Sequence, residues 1–121
     1  MLFTVHESHI HVVAAGEYTY EDVVDAFEAA IEHAGTRLPV LVDARQSKAN
    51  PPFDEMVQTA MFSQSIADDI GPRIALVVEG ALRYGLARML SSLAGTDGKL
   101  VFQPFREVES ARAWLDAKRD N

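Results

Sequence analysis

Leu38-Pro39-Val40-Leu41-Val42-Asp43 and Arg73-Ile74-Ala75-Leu76-Val77-Val78 decide the fold. Each is a short apolar run without the alternation of a half-exposed strand. Such runs fit strands covered on both faces, the condition of parallel strands joined by crossover helices. Pro39 is tolerated because an early strand position need not donate to the ladder. Before the first run, Thr19 and Asp22 form a near-match to a capping box, with an acid in the first turn to suit the helix dipole. Val23, Val24, Phe27, Ala30, Ile31 and Ala34 then recur at helical spacing, and Gly35 closes that helix. Between the two runs, the polar, Pro-containing stretch 44–52 reads as a long loop. A helix over 53–70 follows, stopped by Gly71-Pro72. It carries one stripe through Met56, Val57, Ala60, Gln64 and Ala67 and a second through Phe62, Ile66 and Ile70.

The pattern continues outward in both directions. Leu2 to Val5 is β-prone, and His9-Ile10-His11-Val12-Val13-Ala14 alternates, with Ile10, Val12 and Ala14 on one face. A polar turn between them predicts a hairpin, and Gly16 ends its second strand. Ala81 to Ala94 is a helix carrying Leu82, Leu86, Met89, Leu90 and Leu93. Gly95 to Gly98 is a turn, Lys99 to Phe102 a strand, and Val108, Ala111, Trp114 and Leu115 mark a final amphipathic helix before a solvated tail, Asp116 to Asn121. The order is ββαβαβαβα. It predicts a single-domain α/β sandwich over residues 1–121 with a mainly parallel, five-stranded sheet and an antiparallel N-terminal strand.

Composition narrows the function classes. The 121 residues carry 11 basic and 18 acidic side chains, a formal charge of −7, which argues against the positive footprint that nucleic acid or an anionic membrane surface requires. The absence of cysteine excludes disulfides, thiolate metal sites and a cysteine nucleophile. No apolar run approaches the roughly 20 residues that span a bilayer, and Met1 to Glu7 lacks the basic leader of a signal peptide. The expectation is a soluble, cytoplasmic protein.

Three segments carry a family resemblance: Val40-Leu41-Val42-Asp43, Arg73-Ile74-Ala75-Leu76-Val77, and Val101-Phe102-Gln103-Pro104-Phe105 ahead of Ala111-Arg112-Ala113-Trp114-Leu115. In this order they resemble the STAS domain of bacterial anti-sigma-factor antagonists, in its divergent SpoIIAA-like branch. The resemblance implies a STAS-like fold across nearly the whole chain. It departs at the phosphorylatable serine of those antagonists. Where an Asp-Ser-Ser-Gly-like step would open the helix after the third strand, this chain reads Asn50-Pro51-Pro52-Phe53-Asp54-Glu55, and Ser47 lies earlier in the loop. The resemblance then points toward carriers of small or apolar ligands, distantly akin in fold to the CRAL-TRIO lipid-binding domains.

Candidate residues fall into three groups. Asp43 and Arg45 follow the carboxyl end of one strand, where open α/β sheets gather ligands, and Arg83 and Arg88 on the 81–94 helix would complete an anion site if turned toward it. The plainer reading has Asp43 cap a neighbouring turn and the arginines pair with surface acids. His9 and His11 leave one strand face together and can share a metal. A third ligand from His6, Glu7 or His33 is not compelled by spacing, so the pair reads as exposed and no metal or cofactor is assigned. No Gly-rich phosphate loop, nucleophile elbow or triad is present, so no catalytic residue is assigned and the chain reads as a non-enzyme.

The third group is an apolar surplus. Met56, Met61, Phe62, Ile66, Leu86, Met89 and Leu90 exceed what two single-faced helices need. It reads first as core packing plus a homodimer face, and second as a pocket between helices 53–70 and 81–94 and the sheet. Met56, Phe62, Ile66, Tyr84, Leu86 and Met89 are the candidate ligand-binding residues. The functional expectation is a non-catalytic binding module carrying a small apolar or amphipathic ligand. The alternative is a regulatory module of the antagonist type that meets a protein partner through loop 44–54 and the following helix.

Overall fold

The computed structural model describes residues 1–95 and 98–117. Thr96 and Asp97 of the predicted turn, and Lys118 to Asn121 of the predicted tail, lie outside the described residues. The elements are β1 (Leu2–Val5), β2 (Ile10–Val13), α1 (Tyr20–Ala34), β3 (Leu38–Asp43), α2 (Phe53–Ser65), β4 (Ile70–Val77), α3 (Ala81–Ala94), β5 (Val101–Phe105) and α4 (Val108–Asp116). Strand order along the sheet is β1-β2-β3-β4-β5, with β1 antiparallel to β2 and every other neighbouring pair parallel. This is the expected α/β architecture in the expected order.

Strand parity divides the core into two layers. Ile10 and Val12 of β2, Val40 and Val42 of β3 and Ile74 of β4 point to one face. There they meet Phe27, Ala30 and Ile31 of α1 and Phe62 of α2, together with Ile66 just beyond it. Leu41, Ala75 and Val77 point to the other face, against Ala111 and Leu115 of α4. The unalternating runs were thus read correctly: β3 and β4 are covered on both sides. The coverage is unequal, because among the described residues α4 is the single helix of its face, packing on β3, β4 and β5. Arg73 fastens it there, with its guanidinium over the Trp114 ring at 5.1 Å and an N–H donated to the Trp114 carbonyl.

The expected capping box is complete. Thr19 Oγ1 accepts the Asp22 N–H at 3.2 Å, and Asp22 Oδ2 accepts the Thr19 N–H at 2.9 Å. Gly35 at φ 69° ends α1 in the left-handed region, its N–H donating to Ile31 O.

Helix α2 is shorter than its periodicity predicts. It ends at Ser65, and Ile70-Gly71-Pro72 open β4 rather than stop a helix. Ile66, Ala67 and Ile70 hold helical phase in the sequence, but Ile70 is claimed by the sheet through its pairing with Leu38. Arg37 fixes the turn by donating to Ala67 O at 2.8 Å and Ile70 O at 3.0 Å. Gly71, at φ 96°, is required in this junction, since a Cβ there would meet Leu100 Cδ2 at 2.8 Å. Strand β5 likewise begins at Val101 and runs on to Phe105, where its pairing with β4 continues past the predicted end.

Candidate functional site

A cavity of about 340 Å³ lies between the sheet and the layer formed by α1, α2 and α3. Its floor is Ala14, Val42, Ile74, Leu76 and Phe102, contributed by the four strands from β2 to β5 or the residues just past them. Its walls are Val23 and Phe27 of α1, Met56, Thr59 and Phe62 of α2 with Ile66 beyond it, and Leu86, Ala87 and Leu90 of α3. The cavity reaches Ala44 and Val78, immediately past β3 and β4, so it opens onto the carboxyl edge of the parallel strands, where α/β sheets place ligands.

The lining is predominantly apolar, and loop 44–52 builds a polar cluster at one end of it. Gly16 bridges to Ser47, and the Gly16 N–H donates to Gln46 O at 2.9 Å while the Lys48 N–H donates to Gly16 O at 2.8 Å. The loop is thereby sewn to the chain following β2. The Ser47 hydroxyl donates to Tyr18 Oη at 3.0 Å and accepts the Ala49 N–H, while Arg83 Nη1 donates to Ala49 O at 3.0 Å. Tyr18, Ser47 and Arg83 all line the cavity. Ser47 is buried in this arrangement, its hydroxyl held by Tyr18 and the Ala49 N–H.

Of the predicted ligand residues, Met56, Phe62, Ile66 and Leu86 line this cavity, whereas Tyr84 and Met89 do not. Helical phase is the reason. On α3 the cavity face is Arg83, Leu86, Ala87 and Leu90, spaced i, i+3, i+4 and i+7, which leaves positions 84 and 89 about a quarter-turn or more away. Tyr84 receives the Arg106 guanidinium over its ring at 4.6 Å, and Met89 is exposed. Val23, Phe27, Tyr18, Ser47, Leu90 and Phe102 also line it and were not among the predicted ligand residues. The apolar stripe of α1 could have signalled the first two.

The predicted anion group is not one site. Arg45 Nε and Nη2 donate to the two Asp43 oxygens at 2.9 and 2.8 Å. This pair lies outside the cavity lining, since Asp43 is one residue out of phase with Val42 on the floor. Arg83 is at the cavity and Arg88 is exposed on α3. Asp43 and Arg45 thus satisfy each other, while Arg83 meets a backbone carbonyl rather than a surface acid.

His9 is not the exposed residue its strand position predicts. The turn after β1 closes with the His6 N–H on His9 O at 2.8 Å, and the His6 ring stacks on that of His9 with centroids 4.8 Å apart. His9 is buried as a result. His33 lies apart from this group, edge-on to Phe3.

Burial, first, and the neighbouring His6 and His11 charges lower the pKa of His9 below the ordinary 6.5. Burial also lowers His11, outweighing the nearby Asp43 carboxylate; His6, Arg112 and Arg45 act in the same downward sense. For His9, Arg112 lowers and Asp116 raises. Hydrogen bonds from Arg45 hold Asp43 below 3.8. The unfolded chain therefore binds these protons more readily than the folded one, and acid favours unfolding. The midpoint of urea unfolding is expected to fall in two windows: as pH drops below 6.5 through the lowered histidine values, and again below 3.8 as Asp43 protonates. His9→Gln should shrink the first decline and leave the second. A midpoint unchanged between pH 7 and 5 would contradict the histidine part.

Among the described residues, no helix is long and apolar enough to cross a membrane. No family model matches the chain. No curated protein matches it either. Among solved structures, the chain is similar to an uncharacterized protein of the DUF3478 family with a SpoIIAA-like fold from Shewanella loihica PV-4. The two are 18% identical with a TM-score of 0.63, over 93% of this chain and 90% of that one. The chain therefore has the SpoIIAA-like fold that its sequence resembles.

Proposed function

We propose that this chain is a binding module for a small apolar or amphipathic molecule. The observation that carries this reading is the cavity itself: about 340 Å³, predominantly apolar in lining, with Tyr18, Ser47 and Arg83 gathered at one end and Glu55, Thr59 and Ser63 of α2 as further polar residues. That is the size and composition of small-molecule pockets, in which apolar walls supply affinity and a few polar groups fix orientation. The favoured ligand has an apolar body and a hydrogen-bond-accepting or anionic end, which would lie by Arg83 and Tyr18.

The test pairs native mass spectrometry of the purified protein with titration by an environment-sensitive fluorescent fatty-acid analogue. The expected result is saturable 1:1 binding of the probe, competed by unlabelled acid and weakened by Arg83→Leu. A probe that fails to saturate would count against the reading. The same spectrum reads the oligomeric mass. Phe53, Met61, Leu82 and Met89 leave apolar surface exposed on α2 and α3, and this supports the pairing of two copies or the seating of a protein partner on that layer.

A further inference from the structure

On the sheet face opposite the cavity, beside α4, three imidazoles converge. We propose that His6, His9 and His11 form a binding site for a divalent transition-metal ion of the zinc type. One ring nitrogen from each of the three lies within 4.8 Å of those of the other two. The tight turn brings His6 over His9, and His11 leaves the same face of β2 two residues on. A Zn–N bond of about 2.1 Å puts tetrahedral donors about 3.4 Å apart, so the group closes on an ion by small side-chain rotations, led by the exposed His6.

A second observation points to a ligand. Nε2 of His9 is buried and has no hydrogen-bond partner among the described residues, although the residue as a whole is only 8% exposed. A buried polar atom left unpaired is costly and calls for an explanation. The other nitrogen, Nδ1, has the Ser8 hydroxyl at 3.2 Å. That is the arrangement of a metal-binding histidine, in which an outer partner holds one ring nitrogen and presents the other to the ion. Imidazole nitrogens suit zinc, copper and nickel and do not suit magnesium or calcium. Three such ligands leave a fourth tetrahedral position, on the side of the exposed His6, for water or an exogenous donor.

The site is independent of the cavity, because Ile10 and Val12 on the alternate positions of β2 point to the other face. The experiment uses the untagged full-length chain, stripped with chelator and titrated with zinc by calorimetry, and with cobalt(II) by visible absorption. One ion per chain is expected, with the intense d–d bands of a four-coordinate site and a raised melting temperature. His6→Ala removes an exposed ligand and should leave the fold intact by circular dichroism. It should weaken zinc by at least the 10- to 100-fold, roughly, that loss of an outer-shell partner costs in other metal sites. Ser8→Ala should weaken it within about that range. Failure of zinc, copper and nickel to bind at unit stoichiometry would overturn the proposal, as would zinc binding that His6→Ala and His11→Gln both leave unchanged.

Discussion

Ile66→Asp is expected to remove a large share of the folding stability. Ile66 is buried among Phe62, Ala67, Ile70 and Ile74, beside the apolar stretch of the cavity, and the nearby Arg37 guanidinium is already engaged with the Ala67 and Ile70 carbonyls. A charge placed there either stays ionised in an apolar setting or takes up a proton at a free-energy cost, and it also loses the packing of the isoleucine. A loss of about 4 kcal/mol or more follows, against a total stability of about 5–15 kcal/mol for a domain of this kind. Far-UV circular dichroism and urea unfolding would read it. Met61→Asp, five residues earlier but exposed, is the contrasting variant and should stay within about 0.5 kcal/mol of the parent. If Ile66→Asp melted like the parent while a partner or second copy was lost, the residue would belong to an interface rather than to the core.

Ala87→Phe is expected to weaken binding of an apolar probe while the protein stays folded. Ala87 is buried on the cavity face of α3, so a phenyl ring at that position extends into open space between the helices and the floor. Filling such space commonly adds about 0.5–2 kcal/mol. For a chain of this length that corresponds to a melting temperature higher by roughly 2–8 °C. Probe affinity should fall by about tenfold or more, equivalent to at least about 1.4 kcal/mol. A melting temperature lowered by the roughly 1–3 kcal/mol typical of overpacking would mean instead that the space closes in solution. Unchanged affinity in a stable variant would move the ligand out of this cavity.

Local patterns in the chain carried much of this structure. Val40-Leu41-Val42 and Ile74-Ala75-Leu76-Val77 lack alternation because both faces are covered, and that feature alone announces buried parallel strands. Thr19 with Asp22, and Gly35 fifteen residues after the helix starts, bound α1 by hydrogen bonds confined to neighbouring residues. Met56, Phe62, Ile66 and Leu86 could be nominated for the cavity because apolar residues in excess of one stripe must go somewhere.

The failures share a cause. Ile66 to Ile70 kept helical phase, yet Leu38 across the sheet and the Arg37 guanidinium took those residues into a turn and a strand. Tyr84 and Met89 belong to an apolar helix, but only its rotation against β5 and α2 selects Leu86, Ala87 and Leu90 for the cavity. His6 lies outside the alternation of β2, and the turn that folds it over His9 is what assembles the three rings.

The sequence by itself determined the element order, the parallel core strands and the caps of α1, because periodicity and capping are properties of residues within a few positions of one another. The tertiary structure decided where α2 stops, which arginine meets the cavity, how His9 is buried, and that a cavity exists at all. Each of these depends on distances between segments far apart in the chain. A cavity in particular is the difference between the volume that a sheet and three helices enclose and the volume their side chains fill, and no stretch of the chain encodes that difference locally.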